Sequence, residues 1–308
     1  MNQNRAGCVW LELLRAPNLL TVPGDVLAGF ALAGGAQGQW PVLVVAGGAG
    51  LALYVAGLAI NDYADRAEDF RERPGRPIPS GRLSPVAVLL TGLLALGLGL
   101  GAAGLSGSRS LAVAVILSLA IIAYNYGLKR LRGIGALNMG LCRGLNLLLG
   151  ASVAGQENFL GALPLTTLLA AISETLLVAV VTSIAAHETE TRRLGFWRWL
   201  PGVVSGMALL MLAACTRWPS DGVGRMLAVL FTGVLAVGWF LAVGHALRGT
   251  PSPVTVGRGI GAWIRGLLLL QACFCALAVQ APWSLLAACL LLLLLPVAGR
   301  LGRSFAGS

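Results

Sequence analysis

The chain has 308 residues, of which 57% are hydrophobic and 11% charged, with a mean hydropathy of +0.82 and a formal net charge of +10. Soluble domains carry about 25% charged residues, so this composition excludes a soluble globular protein. It fits an all-α polytopic membrane protein, in which apolar stretches of about 20 residues alternate with short polar loops. The basic residues fall in those loops, which assigns the charge to membrane topology rather than to nucleic acid. The six cysteines lie in or beside apolar segments and form no CxxC pair, so neither a disulfide framework nor a zinc site is indicated.

Taken in order, the hydrophobic segments predict ten spans, near 18–36, 41–60, 85–105, 110–127, 136–154, 163–186, 199–215, 224–247, 260–279 and 283–299. The N-terminus lacks a signal-peptide cleavage pattern, so the first segment is expected to stay in the mature protein. One side of the membrane collects Arg5 and Arg15, the arginines between Arg66 and Arg82, Lys129–Arg132, Arg192–Arg198, Arg248, Arg258 and Arg265, and the tail residues Arg300 and Arg303. The other holds only Arg109, Arg217 and Arg225. The positive-inside rule then predicts a cytoplasmic N-terminus, and ten spans return the basic tail to the same side.

The second span runs into NDYADRAED, Asn61–Asp69, which with Glu72 holds five of the twelve acidic residues. Asn61, Asp65 and Asp69 are four apart, so on a helix their oxygens line one face. Such a set suits a hard cation such as Mg²⁺, which readily shares a phosphate with its site. The bland alternative is a solvated, charged helix end. Beyond it, FRERPGRPIPSGRLSP cannot be a regular helix through Pro74, Pro77 and Pro79, and Ser84–Pro85 reads as the next helix start. Arg71, Arg73, Arg76 and Arg82 thus lie on an irregular segment beside the carboxylates, either as ordinary positive-inside charge or as a lid that neutralises a polyanion.

Lys129, after the fourth span, is the only lysine; a compact ammonium among many guanidiniums hints at a specific contact, with Tyr124 and Asn125 at the same edge. Arg143 stands among apolar residues of the fifth span with Asn138 and Asn146 nearby. An intramembrane arginine needs a cavity or a partner, and Asp25 and Glu174 are its candidate partners; a buried structural ion pair is the competing reading. The sixth span ends in HETET, His187–Thr191, in the place equivalent to Asn61–Asp69. This hints at two halves, about 18–154 and 155–299, of one domain. His245 has no companion ligand and reads as structural.

NDxxDxxxD at Asn61–Asp69, RPIPSG at Arg76–Gly81, YNYGLKR at Tyr124–Arg130, GLCRGLNLLLG at Gly140–Gly150 and the opening RAPNLLTVPGDVLAG at Arg15–Gly29 together resemble the UbiA superfamily of intramembrane prenyltransferases, over nearly the whole chain. The resemblance implies a bundle of nine to ten transmembrane helices around a central cavity, with two acidic motifs facing each other under a cytoplasmic cap. It implies transfer of a prenyl group from a prenyl diphosphate to a hydrophobic, often aromatic acceptor, with Mg²⁺ as cofactor, in a bacterial inner membrane. Asn61, Asp62, Asp65 and Asp69 would hold metal on the first side and Glu188 and Glu190 on the second. Asp65, Asp69, Lys129 and Arg143 would be catalytic. Arg66, Arg76, Lys129, Arg143, Tyr124 and Asn18 would bind the prenyl diphosphate.

One departure stands out. The family's second motif is an Asp-rich DxxxD, whereas HETETRRLG offers His187, Glu188 and Glu190, and two-apart residues do not share a helix face. This altered motif resembles the EboC-like branch of the family. It motivates an alternative, a non-catalytic binder or transporter of a lipid-linked or polyketide-like molecule on the same scaffold. A third reading, an unrelated transporter with an Asp25–Arg143–Glu174 relay, leaves the carboxylates of Asn61–Asp69 unexplained.

Overall fold

The computed structural model describes residues 3–131, 133–154, 163–187, 193–218, 222–279 and 282–304. Among them the regular elements are all helical: α1 (Gln3–Leu13), α2 (Ala16–Leu19), α3 (Val22–Leu32), α4 (Trp40–Glu72), α5 (Pro85–Ser106), α6 (Ser108–Tyr126), α7 (Ile134–Ala151), α8 (Leu165–Ala185), α9 (Leu200–Cys215), α10 (Val223–Ala246), α11 (Pro253–Leu277) and α12 (Ser284–Ser304). Proline at a first turn opens several of them, because its missing N–H is not needed there. Pro85 follows an extended Ser84, and Pro253 follows Ser252, whose Oγ accepts the Thr255 N–H at 3.3 Å.

Nine helices among the described residues are long and apolar enough to cross a membrane, and they account for nine of the ten expected spans. The tenth, predicted as one helix over 18–36, is broken. Pro23 lacks the N–H that would bond the Leu19 carbonyl, and its ring would strike that carbonyl; α2 ends at Leu19 and α3 begins at Val22. The 11 residues of α3 extend only about 16 Å, half the ~30 Å hydrocarbon thickness. The broken segment still connects the two ends of the bundle. Glu12 of α1 bonds Arg82 beside the start of α5, while Phe30 of α3 meets Trp40 at the start of α4, with ring centroids 6.3 Å apart.

The 33 residues of α4 reach about 50 Å, far more than a membrane's hydrocarbon core requires. Its last turns therefore project beyond the apolar layer, and they carry Asn61–Asp69. Glycines set the closest contacts behind it. A methyl group on Gly29 would fall on the Leu147 carbonyl and one on Gly150 on the Val26 carbonyl, so α3 and α7 touch backbone to backbone. Gly140 and Gly144 do the same against α8. The most apolar window of α11 is 72% buried, against 22% for α10 and α12, which places α11 at the centre of the second half and the other two on its outside.

Candidate functional site

The acidic end of α4 is neutralised by basic groups from two other segments. The Lys129 ammonium, on a short 3-10 turn after α6, pairs with Asp65. Arg76, on the proline-rich loop after α4, donates to Asp69 Oδ2 at 2.7 Å. The Asn61 amide bridges Asp65 Oδ2 and Asn125 Oδ1 at 3.0 Å each, tying α4 to α6. Asp62 is only 8% exposed and makes no hydrogen bond among the described residues; Arg15 and Arg76 act on it as counter-charges against Asp65 and Asp69. Arg66 lies over the Tyr63 ring, 4.1 Å from its centroid, and donates to the Tyr63 carbonyl. At the far end of the loop Arg82 holds both oxygens of Glu12 in a fork, at 2.6 and 2.8 Å, so the segment carrying Arg76 is fastened at both ends.

Below this mouth lies a cleft with ≈ 670 Å³ of empty space, its solvent-open part included. Leu53, Gly57 and Leu58 of α4 with Leu117 and Ile121 of α6 make its apolar walls. Asn61, Tyr124, Asn125, Arg143, Asn146 and Arg15 make its polar end. Arg15 is the one non-glycine residue with positive φ among those described (49°), a conformation that costs roughly 1–3 kcal/mol and is kept only where the surroundings impose it.

Deeper, α3, α7, α8 and α11 each supply polar groups to one buried cluster. Arg143 NH2 donates to Asp25 Oδ1 at 2.8 Å and to both oxygens of Thr21 at 3.1 Å. Asn146 donates to Asp25 Oδ2 at 2.8 Å and to the Val22 carbonyl at 2.9 Å. Gln271 donates to Asp25, to the Thr21 carbonyl at 2.9 Å and, at 3.3 Å, to Glu174 Oε1. Asp25, Glu174 and Gln271 are all 0% exposed.

Of the residues singled out in the sequence, Asn61, Asp65, Asp69, Lys129 and Arg76 thus come together at the mouth, with Arg66 at its exposed edge. Arg143 and Tyr124 line the cleft, Arg143 with its NH2 edge on Asp25. Asn18 sits against Tyr54 of the cleft rather than lining it. Glu188 and Glu190 lie outside the described residues, and no cluster of three or more His, Cys, Asp or Glu that could hold a metal occurs among the described ones. The donor chemistry present, a carboxamide and two carboxylates on one helix face, suits Mg²⁺, which usually takes one or two carboxylates and completes its shell with water and substrate phosphate. Gln271, Thr21, Tyr54 and Arg15 are contributors that the sequence did not mark as site residues. Gln271 interrupts the apolar run LLLLQACFC, and that lone polar residue was the available signal. Tyr54 and the strained Arg15 carried none beyond their positions.

Residues 25–252 match the model of the UbiA prenyltransferase family. The chain is 32% identical over 163 residues to a digeranylgeranylglyceryl phosphate synthase from Methanothrix thermoacetophila, a match covering 53% of this chain and 61% of that one. It is 42% identical over 90 residues to the enzyme of the same name from Ignicoccus hospitalis, 29% of each chain. The matched stretch thus spans under two thirds of either relative. Among solved structures, one concerning a digeranylgeranylglyceryl phosphate synthase superposes with a TM-score of 0.58 at 17% identity, covering 90% of this chain and 99% of that one. A UbiA homologue from Archaeoglobus fulgidus bound to GPP and Mg²⁺ gives 0.55 at 16% identity, covering 86% and 99%. These likenesses concern the fold; the family match covers most of the chain and both regions that carry the mouth and the cleft. The chain is an integral membrane protein and belongs to the UbiA prenyltransferase family.

Proposed function

We propose that the protein transfers a prenyl group from a prenyl diphosphate to a hydrophobic acceptor, with Mg²⁺ held at the mouth of the cleft. The observation that carries this reading is the pairing of Asp65 with Lys129 and of Asp69 with Arg76 directly above an apolar cleft. One place thereby offers carboxylates for a metal, cations for a diphosphate and a dry channel for a prenyl tail. The structures of a UbiA homologue from Archaeoglobus fulgidus with DMAPP or GPP and Mg²⁺ support the ligand class. The acceptor is aromatic on the sequence resemblance, and a glyceryl phosphate lipid on the names of the matched synthases.

In the reaction the allylic C–O bond breaks, diphosphate leaves with the electron pair, the acceptor atom bonds to the allylic carbon, and the acceptor loses a proton. Bound Mg²⁺ would neutralise charge growing on the departing diphosphate. Asn61, Asp65 and Asp69 would hold it, with the buried Asp62 adding charge. Lys129 and Arg76 would turn from the α4 carboxylates to the diphosphate oxygens, joined by Arg66 from the Tyr63 ring at the edge, a bidentate fit for the guanidiniums. Arg143 and Tyr124 would present polar groups to the occupant, with Asn18 steadying Tyr54. The leucine and isoleucine walls keep water from the allylic cation and favour the prenyl tail by about 25 cal/mol per Å² of apolar surface buried. The arginine distribution supports a cytoplasmic position for this mouth. On the family resemblance, Glu188 and Glu190 would supply the second acidic side.

The test is purified protein incubated with radiolabelled prenyl diphosphates, Mg²⁺ and a panel of phenolic and glyceryl phosphate acceptors. Prenylated product with one member of the panel is the expected result. Binding of prenyl diphosphate without product from any acceptor would favour a carrier on the same scaffold.

A further inference from the structure

The buried cluster holds two carboxyl groups and one guanidinium, and the hydrogen bonds distinguish the two acids. Asp25 accepts from Arg143 and Gln271 on one oxygen and from Asn146 on the other. Three donors aimed at one carboxyl group stabilise its anion. Glu174 receives a single long bond from Gln271, and its Oε2 has no partner; the same Gln271 amide bonds Asp25, which makes the two acids neighbours. Two touching anions cannot share one counter-ion in an apolar interior without a large cost. A carboxyl group with one weak donor, beside a carboxylate rich in donors, is the one that keeps the proton.

This leaves Asp25 as the sole anion for Arg143, and the pair is not there for stability: buried ion pairs are commonly no better than apolar side chains of equal volume. The guanidinium is fastened through NH2 alone. Its Nε is buried without a partner, and NH1 makes no hydrogen bond among the described residues, although Arg143 is only 9% exposed and lines the cleft. An arginine held by one nitrogen with two left unspent at a cavity wall is arranged to receive an anion. We infer that Asp25 is a positioning residue that fixes the unspent edge of Arg143 toward an anionic group in the cleft, with Glu174 held neutral beside it. The inference rests on the functional reading above for the identity of that anion. It draws in Gln271, which lies beyond the family-matched residues 25–252.

The experiment is the binding of a non-reactive prenyl thiolodiphosphate with Mg²⁺ to detergent-purified wild type, Asp25→Asn, Arg143→Gln, the double variant, Thr21→Val and Glu174→Gln, each checked by thermal unfolding. Asp25→Asn should weaken binding about tenfold or more, on the scale of losing a buried charge partner. In the Arg143→Gln background it should do nothing further, because a positioning residue acts only through what it positions. Thr21→Val, which removes a lesser anchor, should weaken binding by about threefold or less and gives the positioning reading a variant with little risk to folding. Glu174→Gln should bind as wild type does. It should also abolish an infrared carbonyl band of a protonated carboxyl group in the wild-type spectrum at neutral pH. Equal effects of Asp25→Asn in both backgrounds, tighter binding in Asp25→Asn or Thr21→Val, or a Glu174→Gln as damaged as Asp25→Asn would overturn the inference. A wild type that binds no probe would contradict the functional reading and the positioning role together, while the infrared band would still decide where the proton sits.

Discussion

Charge is handled in two different ways at the two ends of the cleft. At the mouth two carboxylates of α4 have a single cationic partner each, on a separate segment: Lys129 for Asp65 and Arg76 for Asp69. Deeper in the bundle, Asp25 is gripped by three side chains from two helices and sits at 0% exposure. One-to-one, partly solvated pairs can be exchanged for other ligands at low cost. A multiply bonded, desolvated pair cannot, since removing one partner strands a buried charge. The contrast teaches that the mouth is built to trade counter-ions and the interior to hold one group still.

The largest way to break this contrast is Arg143→Leu, which leaves the Asp25 anion unpaired in the interior. A loss of about 3–5 kcal/mol is expected, measured as a lowered thermal midpoint in detergent. Asp25→Leu combined with Arg143→Leu should recover most of it, and a double variant as unstable as the single would show that the pair itself carries the fold. Next is the scaffold that brings the cluster together. Gly150→Ala puts a methyl group on the Val26 carbonyl and should cost roughly 1–3 kcal/mol by overpacking the α3–α7 contact, whereas Gly101→Ala on α5, with open space around it, should be neutral or slightly stabilising in the same melt.

The mouth should answer in the opposite sense. Lys129→Met removes the competitor for Asp65, so Mn²⁺ used as a paramagnetic stand-in for Mg²⁺ should bind more tightly when no prenyl diphosphate is present. The gain should be up to about fivefold, the worth of a partly exposed pair. With prenyl diphosphate added the advantage should reverse, because the ammonium is then wanted by the diphosphate. Weaker Mn²⁺ binding by Lys129→Met in both conditions would make Lys129 a structural strut. The smallest effect belongs to Arg82→Ala, whose fork to Glu12 is 38% exposed on the arginine side. Its cost to stability should stay within about 1 kcal/mol, read by the same thermal melt.

Much of this arrangement was legible in the residues. Hydropathy located the nine continuous helices because twenty apolar residues in a row have few other uses, and the four-residue spacing of Asn61, Asp65 and Asp69 announced a single helix face. Asp25 and Glu174 could be named in advance as candidate partners of Arg143, since ionisable groups inside a membrane seek one another; Arg143 bonds Asp25, whereas Glu174 bonds Gln271. The break between α2 and α3 was missed although Pro17 and Pro23 flank it, because overall hydropathy outweighed two prolines in an apolar stretch. The bond from Gln271 to Asp25 joins residues 246 apart in sequence, and only the packing of α11 against α3 makes it. No local pattern encodes which helix a lone glutamine will face. The same holds for Lys129, whose partner Asp65 is 64 residues away.

Central to the proposed function is that the α4 carboxylates bring a metal and a prenyl diphosphate together. The direct measurement is equilibrium binding of a labelled prenyl diphosphate to the purified protein, with Mg²⁺ and with chelator, in wild type and Asp65→Asn. Saturable binding that needs Mg²⁺ and falls by about tenfold or more in Asp65→Asn is the predicted result. Binding of equal strength in chelator, or in Asp65→Asn, would contradict it.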